Sequence, residues 1–227
     1  MPNSFTVIET PCTPNHRELS TAHKILEGGI DSVNNLARHY RSCTQKRGPG
    51  APTHEDQDLL RAMLVMAGAA LDATVKEIVR KGLPLLLTNS DEVLKAVSDR
   101  FQRDILAGFE KKGIDALTQI LLSPDSQNES INYVIKSVTK GSMQNHEALY
   151  RVVTVLLPTS KVKYERLKDA FSARNQIVHE MDATPDSDSR NRRQRSRKKM
   201  ETWAKQLLKA GVDVLNNVDK SLPAIVD

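Results

Sequence analysis

Apolar residues recur every three or four positions through most of the chain, and alternating Val/Ile/Thr/Tyr runs are nearly absent. That period predicts helices. A first helix is expected over about residues 15–43, with Leu19, Ala22, Ile25, Leu26, Ile30, Val33 and Ala37 on its stripe and Gly28-Gly29 placed to break or kink it. Gly48-Pro49-Gly50-Ala51-Pro52 reads as a connector, because its glycines and prolines disfavour helix. Thr53 to Asp56 reads as a partial capping box. The second helix, about 55–81, is the most apolar. Leu60, Leu64, Ala67, Leu71, Val75 and Ile78 form its stripe, Ala67-Gly68-Ala69-Ala70 admits a close neighbour, and Gly82 and Pro84 are expected to end it.

Further helices are predicted over about 90–111, 114–122, 128–139, 144–156, 160–182 and 191–218. A polar loop, Thr184 to Ser189, separates the last two. There is no internal repeat to suggest a solenoid. The expectation is an all-α chain. Residues 1–50 form an N-terminal helical extension and residues 51–227 a helical bundle; one continuous domain is the alternative.

Composition adds exclusions. The chain has 227 residues, 39% of them hydrophobic, enough to bury a core. No apolar run approaches the length of a membrane span, and the first residues do not resemble a secretory signal. Cys12 and Cys43 alone make no disulfide framework, so free thiols and a cytoplasmic location are expected. Charge is uneven. Residues 190–209 hold nine basic residues and one acidic residue, a balance of +8 within a chain of formal net charge +5. The remainder is therefore −3, and a polyanion is expected to meet the 190–199 segment. Its basic residues are Arg190, Arg192, Arg193, Arg195, Arg197, Lys198 and Lys199. They suit a grip on backbone phosphates without choice of sequence; a solvated start of the last helix is the plainer alternative.

Common site signatures are missing. The six histidines form no His-Glu-x-x-His, the cysteines form no Cys-x-x-Cys, and no phosphate-cradling glycine loop or Gly-x-Ser-x-Gly occurs. No cofactor or metal is expected. One segment stands apart, Leu167 to Met181, where positions 167, 171, 174, 178 and 181 trace a helical stripe reading Leu, Phe, Arg, Val, Met. Arg174 interrupts it, and an unpaired buried guanidinium is costly. It must snorkel outward, or enter a polar cavity or a subunit interface.

Asn175 and His179 are four apart and share a face. Arg174 and His179 are five apart, about 140° around an ideal helix and about 7.5 Å along it. A cleft shared by two copies brings the three groups together more readily. Arg can hold a phosphate and counter charge on a phosphorane. His titrates near neutrality and can carry a proton to or from a ribose hydroxyl. Asn can orient either. That set suits RNA cleavage by the 2′-hydroxyl; a structural helix with a satisfied Arg and His is the competing reading.

Arg174-Asn175-Gln176-Ile177-Val178-His179 resembles the Arg-x4–6-His motif of HEPN domains, in the Arg-Asn-x-x-Val-His form of the RiboL-PSP-type and related groups. The resemblance centres on residues 160–182 and extends over roughly 55–218. It implies a HEPN-type bundle that dimerises through its motif helices, and a metal-independent endoribonuclease leaving a 2′,3′-cyclic phosphate and a 5′-hydroxyl. Arg174 and His179 are then catalytic, with Asn175 the polar neighbour. Members act as toxins, antiphage effectors or RNA-processing enzymes, so an antitoxin or sensor partner is implied. The tyrosine that toxins paired with a nucleotidyltransferase carry two places after the His is Met181 here. Two other classes fit the same residues: a HEPN-like module that binds RNA, nucleotides or a partner without cutting, and a helical interaction protein whose basic segment meets an acidic partner. Asp72 and Glu180 have no role fixed by the sequence.

Overall fold

The computed structural model describes residues 7–48, 50–107, 112–143, 145–160, 162, 164–183 and 192–223. Among them are eight α-helices, two short 3₁₀ turns and no strand. The helices are α1 (Ser20–Arg47), α2 (His54–Leu87), α3 (Asp91–Ala107), α4 (Lys112–Leu122), α5 (Ser126–Thr139), α6 (His146–Leu156), α7 (Lys168–Glu180) and α8 (Arg197–Ser221). The expected all-α class is observed.

The long helix α2 is the axis of the bundle, packed against α1, α7 and α8. Leu26, Ile30 and Val33 of α1, Leu64, Leu71 and Ile78 of α2, and Leu207, Val214 and Val218 of α8 are buried together. Residues of α1 therefore share the main core, rather than forming an appendage to it. Helices α3–α6 form a second group that reaches α2 through α3, α5 and α6. Phe101 and Tyr133 meet edge to face at 5.6 Å within that group.

Several expected boundaries move. Gly28-Gly29 does not break α1, which runs on to Arg47. Gly29 is instead a contact point: a Cβ there would stand 2.2 Å from Cβ of Ala70. Gly29→Ala is expected to lower stability by about 1–2 kcal/mol, overpacking outweighing the gain in helix propensity. Ala70→Gly in the same chain should recover most of that loss in urea unfolding; a more stable single variant would contradict the close crossing.

Thr53 and Asp56 form a full reciprocal capping box, with Asp56 also bonded by Arg47 from the end of α1. Gly82 and Pro84 do not end α2, which continues to Leu87 with Pro84 inside it. Proline removes one backbone donor, and the buried Leu83 and Leu86 hold the last turn against the core. Helix α3 is described only to Ala107, and Gly113, expected to follow a helix end, lies inside α4.

The chain's distant parts are clasped at one end of the bundle. Asp219 accepts hydrogen bonds from the backbone of Asn15 and His16 and pairs with the His16 ring at 2.8 Å. The other ring nitrogen of His16 meets the Pro223 carbonyl at 2.7 Å. The Pro223 carbonyl is the main cause of a raised His16 pKa; burial opposes it and Asp219 reinforces it.

Candidate functional site

Helix α7 carries the Arg-Asn-x-x-Val-His segment. It is shorter than the predicted 160–182, beginning at Lys168 after a 3₁₀ turn at Glu165–Leu167 and ending at Glu180. Leu167, Ala170, Phe171 and Ala173 are buried. The predicted stripe holds only through its first half, because Val178 is 40% and Met181 71% exposed. The core-facing stripe turns through Ala170, Ala173 and the partly buried Ile177 instead.

Arg174 is half-buried. Its aliphatic stem lies over Gly68 of α2, where an added Cβ would meet Cγ of Arg174 at 3.4 Å. Its guanidinium donates to Oδ1 of Asn175 at 3.1 Å. Among the described residues no carboxylate pairs with it. Stem and Nε pack over α2 while the end of the guanidinium bonds the adjacent amide, the partial burial open to a long amphipathic side chain. His179 is exposed in the last turn of α7 and has no hydrogen-bond partner among the described residues. Lys168, Ser172, Asn175 and His179 recur at spacings of four, three and four, which sets them along one face. Arg174 reaches that face through Asn175.

The end of α7 is built without glycine. Met181 and Asp182 both take left-handed backbone, with φ of 51° and 59°, a conformation that costs a non-glycine residue about 1 kcal/mol or more. Their backbone N–H groups both donate to the carbonyl of Gln176. The Asp182 carboxylate, completely buried, is held by Nε of Arg61 at 2.7 Å and by Arg195. Burial opposes its ionisation, but hydrogen bonds and charge from Arg195 and Arg61 outweigh that effect, and its pKa lies below the ordinary value.

The basic segment is the other half of this network. Arg193 pairs with Glu180 at 3.3 Å, and Arg192 with Asp58 at 2.7 Å. Arg195 exchanges backbone hydrogen bonds with the Gln57 side chain and donates to Gln176. The Arg193 carbonyl accepts from Arg61, while its N–H donates to the Asp182 carbonyl. These tertiary bonds occupy backbone groups that a helix would have used, so α8 starts at Arg197 instead of 191. Arg197 is 3.7 Å from Glu201. Lys198 and Lys199 are exposed and lack a carboxylate partner among the described residues. Arg190, and the loop 184–189 before it, lie outside the described residues.

Asp72 turns out to be a strut. It pairs with Lys76 and accepts the backbone N–H of Met143 at 2.9 Å, tying α2 to the approach to α6. Two features escaped the sequence reading. One is Asp182 with Arg61, partners 121 positions apart. The other is His146, which stands across from α7 with its Nδ1 enclosed and without a hydrogen bond. A lone histidine after an Asn cap carries no signal of its distant neighbour.

No described helix is long and apolar enough to cross a membrane. The fold is an all-α bundle whose motif helix presents a polar face beside an arginine that has no carboxylate partner among the described residues. No family model, no curated protein and no solved structure matches this chain.

Proposed function

We propose that the chain is a HEPN-like endoribonuclease that cuts RNA without a metal ion, working as a homodimer. The observation that carries this reading is the state of Arg174. Arg61, Arg192, Arg193 and Arg195 are all engaged by carboxylates, whereas Arg174 is bonded by an amide and has no carboxylate partner among the described residues. A guanidinium so placed fits a phosphodiester better than an internal ion pair.

In this reading Arg174 binds the scissile phosphate and counters charge on the phosphorane, and Asn175 orients that guanidinium. His179 moves a proton to or from the reacting oxygens. The 2′-oxygen bonds to phosphorus, the bond to the 5′-oxygen breaks, and that oxygen gains a proton. The products are a 2′,3′-cyclic phosphate and a 5′-hydroxyl, with no water consumed. Arg174 and His179 diverge within one helix, so a second copy completes the site. The exposed Val178 and Met181 flank His179, and Met66 is exposed on α2 between Arg61, which bonds Asp182, and Gly68, which Arg174 covers. An apolar border of this kind suits a self-complementary interface.

Lys198 and Lys199, with the outer surfaces of Arg192 and Arg197, supply a phosphate grip along the strand. A toxin or antiphage role, with an antitoxin or sensor partner, belongs to the same resemblance. The test is incubation of purified protein with mixed RNA in excess EDTA, followed by mapping of the ends. Cyclic phosphates at new 3′ ends are expected, from a particle of twice the chain mass. RNA that is bound in low salt, released in high salt and never cut would instead identify the binding module.

A further inference from the structure

Between the start of α6 and the outward face of α7 lies a groove of about 360 Å³. His146 and Glu147 stand on one wall; Lys168, Ser172, Asn175 and Gln176 line the other. Phe171, almost wholly buried, lines the same groove without offering a face for stacking. The volume is at the small end of ligand sites, room for one nucleoside and too little for a duplex.

The lining says what would fit. It offers an ammonium, a hydroxyl, three carboxamides (Asn145, Asn175 and Gln176) and an imidazole, and also the carboxylate of Glu147 at one side and that of Glu180 at the end. A bare phosphate wants donors alone and is repelled by two carboxylates. The edge of a nucleobase, which presents donors and acceptors side by side, matches a mixed set. His146 adds a second indication: its Nδ1 is enclosed without a partner, an unmet polar group of the kind that calls for an explanation. Asn175 belongs both to this groove and to the hydrogen bond that orients Arg174. A base seated here would therefore be contiguous with a phosphate held by Arg174.

We propose that this groove reads one base of single-stranded RNA next to the bond being cut, with His146 and Glu147 as its specificity residues. Its position beside the cut rests on the cleavage reading; base binding by itself does not. Glu147 can accept from an exocyclic amine, so adenosine, guanosine or cytidine is favoured over uridine, which has none.

The experiment is nuclear magnetic resonance titration of the intact protein with each of the four nucleosides, alongside sequencing of ends cut from a random RNA pool. At least one amino-bearing base is expected to bind fivefold or more tighter than uridine and to shift the amides of Ser172 and Gln176. Glu147→Gln, at an exposed position, should erase that preference, and His146→Ala should weaken binding tenfold. The same variants should flatten the base profile beside the cut without silencing cleavage. Equal binding of all four nucleosides, shifts confined to other surfaces, or a base profile indifferent to both substitutions would overturn the subsite. Selective base binding here without strand scission would sink the cleavage reading and leave the subsite standing.

Discussion

Arg174→Ala and His179→Ala are each expected to reduce RNA cleavage by a factor of about 10² to 10⁴, the range for loss of a charge-stabilising donor or a positioned proton carrier. The structure makes the experiment clean. His179 is exposed and unbonded among the described residues, so its removal should change stability by no more than about 0.5 kcal/mol. Arg174 packs its stem and Nε on Gly68, and its head bonds the half-buried Asn175 amide, so a folded variant is expected there too. Arg174→Lys keeps a charge but loses the fork that grips two phosphate oxygens; it should recover little. Circular dichroism and urea unfolding would confirm that the folds match. Undiminished cutting by the double alanine variant, after removal of contaminating nucleases, would falsify the catalytic assignment.

Asp182→Ala is expected to be the most damaging single change to the fold, costing about 3–5 kcal/mol because a buried ion pair loses one partner. Arg61 has only 4% of its side chain exposed and would lose the acceptor of its Nε, keeping Asp58 and the Arg193 carbonyl. Since whole domains are stable by about 5–15 kcal/mol, urea unfolding should shift sharply or the chain should fail to accumulate. Asp182→Asn separates charge from backbone: asparagine tolerates the left-handed conformation, so it should fall between wild type and alanine. A stability equal to wild type in both variants would show that the network contributes nothing.

The same carboxylate sets an acid limit. Its pKa is lower when folded than unfolded, so its contribution is present above the unfolded value and is lost as pH falls through the folded one. His16 acts with the opposite sign. Its pKa is raised on folding, so its contribution is whole below about 6.5 and fades as pH rises through the folded value. Asp182→Asn should flatten the acid limb of a stability profile and leave the neutral limb.

Helix identity was legible because burial leaves a three-to-four spacing in the sequence, as Leu60, Leu64, Leu71 and Ile78 show. Helix ends were less so. The start of α8 is delayed by bonds from Gln57, Arg61 and Asp182 to a stretch of arginines, residues with good helix propensity, and nothing local announces them. The stop of α7 uses Met181 and Asp182 in a backbone that usually signals glycine. Arg174 was recognisable as an anomaly on an apolar stripe, but its companion stripe members Val178 and Met181 face outward. The basic run read as uniform charge; its carboxylate partners come from α2, from Glu180 and Asp182 at and just past the end of α7, and from Glu201 of α8, and divide it into tethered arginines and lysines without a carboxylate partner among the described residues. Spacing describes one helix at a time, and these distinctions arise between helices.

The clasp of Asn15 and His16 onto Asp219 has a consequence for biosynthesis. A ribosome releases the amino-terminal part first, and the acceptor for those two residues is made some two hundred positions later. During that interval the first helical pair must persist on its own close crossing, with its upstream end unfastened. Closure of the ring is then a terminal step of maturation, and a nascent chain arrested before residue 219 should remain open to proteases at that end while its first hairpin is already shielded.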